Sequence, residues 1–335
     1  MVAVPVALSP VDYVKKVGKG KTLSADLTAD EAGGAFNLLL DGAFHPAQAG
    51  AFLQAMRIKE LTQEELDALA GTFRARMTAM PPLAGAHTLV LNMASDTQRK
   101  GGLASLVAAH LLPGFGVGVG IVRSEPVLQR NNASFDISLE LGRSLGAAFP
   151  ATAPGSAPGP VIADCSGLIR GLAALDDLRG QLGFRSCLHT AEKLVNPWPA
   201  SPLILGISHK HYALRMAATL ARQGQRGRIL LGNHGTVDLV LHKETETVAV
   251  DGAIREESIA PAALGLEVPS DVYSLGKFPQ WREWADAIAA PESADNGLRR
   301  AVQFHLGALL WMAGAATDAT AGLALARRGL PRLFV

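Results

Sequence analysis

Cationic side chains cluster along this chain in a way its overall balance hides. Lys15, Lys16, Lys19 and Lys21 stand against Asp12 alone. Between residues 98 and 130, Arg99, Lys100, Arg123 and Arg130 stand against Glu125. Between 209 and 228, Lys210, Arg215, Arg222, Arg226 and Arg228 occur with no acid among them. Acidic residues concentrate elsewhere, at Glu60–Asp67 and Glu244–Glu257, so a chain of net charge +1 can still carry a basic face. Lys and Arg spaced along a track are nearly all that sequence-independent binding to a phosphate backbone requires. A solvated helix face is the plain alternative for the first run. No zinc finger, helix-turn-helix or aromatic RNA-binding motif is evident, which disfavours base-specific reading.

Other chemistry is less well marked. His189 could act as a general base, but no carboxylate or nucleophile is placed beside it by motif, so an ordinary hydrogen-bonded histidine is the simpler reading. Gly114, Gly116, Gly118 and Gly120 mimic a nucleotide loop in spacing only. They precede or lie within a strand instead of joining a strand to a helix, so thin packing against a sheet explains them better. Cys165 and Cys187 are too few for a disulfide framework or a four-sulfur zinc site, and read as small buried side chains.

Two kinds of segment must position these residues. Up to Pro82 the chain reads as helical. Thr28 with Glu31 and Thr62 with Glu65 form capping boxes, Pro46 suits a first helical position, and Pro81-Pro82 ends the last helix. After Pro82, strands and helices alternate. Strands are expected at 88–93, 117–122, 161–165, 203–207, 229–232, 239–242 and 247–250. Helices are expected at 103–112, 133–144, 209–223, 281–289, 298–315 and 320–328. Such alternation argues an α/β domain with a largely parallel sheet, whose ligands bind at the carboxyl ends of its strands. Residues 150–160, PATAPGSAPGP, read as a flexible connection. The chain has 335 residues, 48% hydrophobic and 18% charged, enough to fold without disulfides or metal. The window from Gly101 to Val122 is long and uncharged, but Pro113 and a glycine cluster interrupt it, so a soluble, cytoplasmic protein with no membrane partner is expected.

A family resemblance spans roughly residues 10 to 330. Phe52-Leu53-Gln54-Ala55-Met56-Arg57-Ile58-Lys59, followed by Thr62 and Glu65, resembles the "AFLxAMRxKGET" helix of anthranilate phosphoribosyltransferases. Leu182-Gly183-Phe184-Arg185-Ser186 and Leu194-Val195-Asn196-Pro197 are similar to that family's "LGxRTxFNxxGPLxNP" segment. Leu205-Gly206-Ile207-Ser208 with Tyr212, and Gly232-Asn233-His234-Gly235, follow in order. The resemblance implies an α/β fold of the nucleoside phosphorylase/phosphoribosyltransferase type, with a small N-terminal helical domain and a larger α/β domain. The helical domain would span 1–82 with 166–196 returning to it; the α/β domain would span 83–165 and 197–335. It also implies a homodimer formed through the helical domain.

The departures fall on the chemistry. The family's diphosphate-binding "GTGGD" loop is Asn92-Met93-Ala94-Ser95-Asp96 here, whose side chains would obstruct the backbone's approach to phosphate. The "NxST" anchor becomes Gly102-Leu103-Ala104-Ser105, and "KHGNR" becomes Gly120-Ile121-Val122-Arg123. The Asp-Glu pair for Mg²⁺ becomes Val237-Asp238, a poor site with one carboxylate. Asn92, Ser95, Asp96 and Ser105 therefore read as a vestigial phosphate loop. The Arg185–Leu194 run and the Asp12–Lys21 start resemble the YbiB-type branch of the superfamily, dimeric proteins that bind DNA and RNA with little sequence preference. The resemblance places Arg99, Lys100, Arg123, Arg179, Arg185, His189 and Lys193 as nucleic-acid contacts, with no catalytic residue, metal or cofactor. The alternative is a phosphoribosyl- or other pentosyl transferase that uses phosphoribosyl diphosphate with Mg²⁺, for which Arg179 and Arg185 are retained.

Overall fold

The computed structural model describes residues 8–20, 22–94, 103–124, 159–266 and 297–330. The helix expected at 133–144, the one at 281–289 and nearly all of the 150–160 connection lie outside the described residues, as do Lys21, Ser95, Asp96, Arg99, Lys100 and Arg130. The chain divides into two compact units, one of Met1–Ala79, Arg123–Gln129 and Ala163–Pro197, the other of Met80–Val122, Arg130–Ile162 and Trp198–Val335.

The first unit is helical. Helices α1 (Pro10–Val17), α2 (Ala29–Leu40), α3 (Pro46–Lys59) and α4 (Gln63–Arg76) each begin with a reciprocal capping box. The boxes at Thr28 and Thr62 are those expected; Ser9 with Asp12 and His45 with Gln48 add two more. Each satisfies two backbone N–H groups that a helix start leaves without partners. The helices close over Phe36, Phe52, Phe73, Leu53, Met56 and Leu69, and Phe36 meets Phe52 edge to face at 5.9 Å. Glu65 is fully buried but well used: Oε1 accepts the Leu27 N–H at 2.8 Å, and Oε2 accepts from Lys59 Nζ at 2.6 Å. The returning segment is tied to the end of α4, where Thr78 N–H donates to Leu168 O at 2.9 Å and Arg170 N–H to Arg76 O at 3.2 Å.

The second unit is built on a seven-stranded sheet in the order β3-β2-β1-β4-β5-β6-β7. Its strands are β1 (His87–Asn92), β2 (Val117–Arg123), β3 (Val161–Asp164), β4 (Leu203–Gly206), β5 (Gly227–Leu230), β6 (Thr245–Val250) and β7 (Ile254–Ile259). β1 pairs in parallel with β2 and β4, and β4 with β5; β6 and β7 are antiparallel additions. Helix α5 (Leu103–Leu111) and the Gly297–Met312 and Ala319–Gly329 helices supply one core layer. Leu89, Leu91, Val117, Val119 and Ile121 supply the facing strand residues.

Two expectations change. Residues 239–242 are not a strand, although Leu239, Val240 and Leu241 are buried. Their backbone is satisfied by side chains, with Leu239 N–H donating to His305 Nε2 at 2.9 Å and Val240 N–H to Thr245 Oγ1 at 2.8 Å. Strand β7, IREESI, is not among the expected strands, because its exposed polar residues carry no apolar period; it forms by antiparallel pairing along the whole of β6.

The glycines of β2 are places of close approach. A Cβ on Gly118 would lie 2.2 Å from Ala84 O, and one on Gly120 would lie 2.3 Å from Trp198 Cζ3. Trp198 cannot withdraw freely, since its Nε1–H donates to Pro81 O at 2.8 Å. Gly120→Ala is therefore expected to lower the unfolding free energy by about 1–3 kcal/mol through overpacking. Urea unfolding checks this, and an unchanged midpoint would reject the packing account.

Candidate functional site

The loop leaving β1 is closed by its own groups. Asn92 is buried, and its Oδ1 accepts the Ala94 N–H at 3.0 Å. Met93 N–H donates to Val122 O at 2.8 Å, and the Met93 and Ala94 side chains are buried. Two N–H groups at the start of this loop thus already have protein acceptors. Ser105, in the first turn of α5, donates its Oγ–H to Val237 O at 2.9 Å, while its N–H donates to Asp238 Oδ1 at 2.9 Å.

Asp238 is fully buried, and its carboxylate sits against the positive end of α5. Its neighbour His305 is also buried, with Nε2 3.6 Å from Asp238 Oδ1. That nitrogen accepts the Leu239 N–H, so the ring proton is assigned to Nδ1, which donates to Ala301 O at 2.7 Å. With both nitrogens so used, His305 is a neutral neighbour. The place where a helix terminus could receive a phosphate is held by the chain's own carboxylate. Asp238, beside the buried and apolar Val237, does not fit as a Mg²⁺ ligand, and no group of three or more His, Cys, Asp or Glu suited to a metal occurs among the described residues.

A second polar cluster lies within the helical unit. Arg179, on the Asp176–Leu182 helix, is fully buried. Its Nη2 stands 2.7 Å from Glu192 Oε1 and its Nη1 3.3 Å from Asp176 Oδ1. Asp176 also accepts from Ser166 Oγ at 3.1 Å, and Asp164 accepts the Ser166 N–H at 2.9 Å. Arg123 Nε lies 2.9 Å from Asp164 Oδ2. Burial pushes the Glu192 carboxyl up to about 6, against the opposing pull of Arg179. Burial also pushes Cys165 upward and Cys187 up to about 12, so neither is a ready thiolate.

These positions revise the expected polyanion contacts. Arg179 is enclosed by two carboxylates and cannot reach a polymer's phosphates. Arg123 is half-buried and paired with Asp164. His189 accepts the Ser186 N–H at Nδ1, 3.1 Å away, as part of a helix cap; this is the ordinary bonded role. Arg185 is exposed and Lys193 half-buried on the same unit. The carboxylates around Arg179 are not among the residues that the sequence singles out. A signal exists for Glu192, because the "LGxRTxFNxxGPLxNP" register puts Glu192-Lys193 at the family's Gly-Pro.

The basic run from 209 to 228 is also less basic than its sequence suggests. Glu244–Glu257, read as a separate acidic region, contains the β6–β7 hairpin, which packs beside the Lys210–Arg222 helix. Lys210 Nζ lies 2.7 Å from Glu246 and 2.9 Å from Glu256. Arg228 meets Glu257 at 2.7 Å, and its guanidinium lies 4.4 Å over the Trp311 ring.

Two outcomes test these clusters. Asp238→Ala strands the buried Ser105 N–H and is expected to cost about 1–3 kcal/mol of stability, read by urea unfolding. For Glu192, the folded carboxyl holds its proton to higher pH than the unfolded one. Stability from this group is therefore fully present below the ordinary carboxylate value and falls as pH rises through about 6. The loss is about 2 kcal/mol. Glu192→Gln should remove that part of the pH profile; identical profiles for the two proteins would contradict the assignment.

Among the described residues, no helix is long and apolar enough to cross a membrane. Residues 11–77 match the helical bundle domain of the glycosyl transferase family. The fold is similar to anthranilate phosphoribosyltransferase from Thermus thermophilus, with TM-score 0.72, 24% identity, and 96% of this chain and 95% of that chain covered. It is also similar to the Saccharomyces cerevisiae enzyme solved with PRPP and Mg, with TM-score 0.73, 14% identity, and 97% and 96% covered. An uncharacterized protein of Aquifex aeolicus is 30% identical over 78% of this chain and 79% of its own length. An anthranilate phosphoribosyltransferase of Methylobacterium sp. (strain 4-46) is 30% identical over 95% of this chain and 93% of its own. With the helical bundle, the sheet order and that full-length identity together, the chain belongs to the anthranilate phosphoribosyltransferase family.

Proposed function

We propose that this chain is a member of the family that binds nucleic acid without sequence preference and does not transfer phosphoribosyl groups. The observation that carries the reading is the inward carboxylate of Asp238, which bonds the first turn of α5 where the family's Mg²⁺-diphosphate would need an open oxygen. Arg179 supports it, because its guanidinium already stands against Glu192 and Asp176 within the chain. Lost transfer chemistry removes the reason for a closed small-molecule site. It leaves Arg99, Lys100, Arg185 and Lys193 as cations suited to a longer polyanion.

Binding of this kind works by phosphate neutralisation. Each Lys or Arg that meets a phosphate releases condensed counterions, so affinity falls steeply with salt and tolerates any base sequence. Two copies paired through the helical units would double the available cations.

The second reading is a phosphoribosyltransferase using phosphoribosyl diphosphate and Mg²⁺. It is favoured by the 30% identity to an anthranilate phosphoribosyltransferase over nearly the whole chain and by the retained Arg185 and Asn196-Pro197. Fold alone does not choose between the two.

Salt-dependent gel shifts with duplex and single-stranded DNA and RNA decide the matter. Binding of every form, weakening steeply with salt, is expected. Arg185→Gln with Lys193→Gln should lower the slope of log affinity against log salt by about 1 to 2. Absence of binding to all four nucleic acids, with Mg²⁺-dependent uptake of phosphoribosyl diphosphate by calorimetry, would replace this reading with the second.

A further inference from the structure

The α/β unit holds a cavity of about 550 Å³ where its parallel strands begin. His87 lines it from the start of β1, Pro202 from just before β4 and Arg226 from just before β5. The Asn92 loop leaves the other end of β1, about 16 Å along a strand of that length. The cavity is therefore separate from that loop. Arg226 and Arg228 are two residues apart in extended chain and share a face of the sheet. Arg228 pairs with Ala249 in the antiparallel register, which puts Asp251 on the same face beside Arg226. Trp311, Met312 and Gly314 line the cavity from the end of the Gly297–Met312 helix.

Most of the charge here is matched. Glu257 accepts from Arg228 Nη1 at 2.7 Å and from Arg255 Nε at 3.3 Å, and the Arg228 guanidinium lies over the Trp311 ring. Two groups are left over. Among the described residues, the Asp251 carboxylate has no hydrogen-bond or ion-pair partner. Arg226 spends Nη2 on Ala200 O at 3.2 Å, and its Nε and Nη1 meet no acceptor among the described residues. Gly227 pairs with Val250, so Arg226 and Asp251 stand at the next facing positions of the two chains. Opposite charges so placed ordinarily bridge. Here the carbonyl tether holds the guanidinium, and no bridge to Asp251 forms.

A tethered guanidinium and an unmatched carboxylate, side by side in a cavity, suit a ligand that carries the two opposite charges at short spacing. The helix end favours the cationic part, because its last carbonyls carry partial negative charge. Ile204, Ala249 and Met312 offer apolar wall for a short stem. We propose that this cavity binds a small zwitterion of the α-amino acid kind. The ligand's carboxylate meets Arg226, its ammonium meets Asp251, and its side chain lies against Met312. Arg228, Arg255 and Glu257 hold one another and serve only as wall. The proposal is independent of the nucleic-acid reading, which assigns no contact to Arg226 or Asp251.

Calorimetry of the full chain with L-leucine, N-acetyl-L-leucine and L-leucinamide tests it; leucine supplies both charges and a short apolar side chain. L-Leucine should bind, and each blocked form should bind about tenfold more weakly, because each lacks one charged hydrogen-bonding group. Arg226→Gln and Asp251→Asn should each weaken L-leucine about tenfold. The melting temperature of both variants should match the parent's, since both side chains are exposed. Asp251→Asn should leave the affinity for N-acetyl-L-leucine unchanged, because that molecule has no ammonium to lose. No binding of L-leucine, blocked forms that bind as well as L-leucine, or variants that bind it like the parent would each overturn the site.

Discussion

The α/β unit turns on a carboxylate buried at the start of a helix. Helix α5 follows β1 in the chain, and the Ser105 N–H in its first turn donates to Asp238. Such a terminus attracts an anion, either a bound phosphate or a side chain. Here Asp238 supplies the charge, Val237 O takes the Ser105 hydroxyl, and His305 lies 3.6 Å from the carboxylate. Leu239 and Val240 then run as buried irregular backbone whose N–H groups are met by His305 and Thr245, which explains why this apolar stretch is not a strand.

A similar closure governs the helical unit. A buried arginine without a partner would cost several kcal/mol, so Arg179 must be matched by carboxylates or by a ligand that carries one. Glu192 and Asp176 supply the match from within the chain. The raised Glu192 value reports the cost of burying that second charge, which Arg179 offsets only in part. Both closures are contacts within the protein.

What remains outward-facing is mixed in charge. The β6–β7 hairpin brings Glu246, Glu256 and Glu257 to Lys210 and Arg228, so linear runs of one sign do not map onto surface patches of one sign. Lys16 with Glu31 repeats the pattern in the helical unit. Arg185, His209 and His211 are exposed.

Local order was legible in the residues themselves. The capping boxes at Thr28 and Thr62, proline at position 46, the apolar strands and the tight glycines of β2 act over a few residues or through steric size, so sequence alone determined them. Partnership was not. Asp238 reaches Ser105 across more than a hundred residues, Glu192 meets Arg179 across two helices, and Glu257 meets Arg228 across a hairpin. Charge interactions depend on distance in space and on exclusion of water. Only the tertiary structure could therefore decide which cations face solvent and which are matched inside.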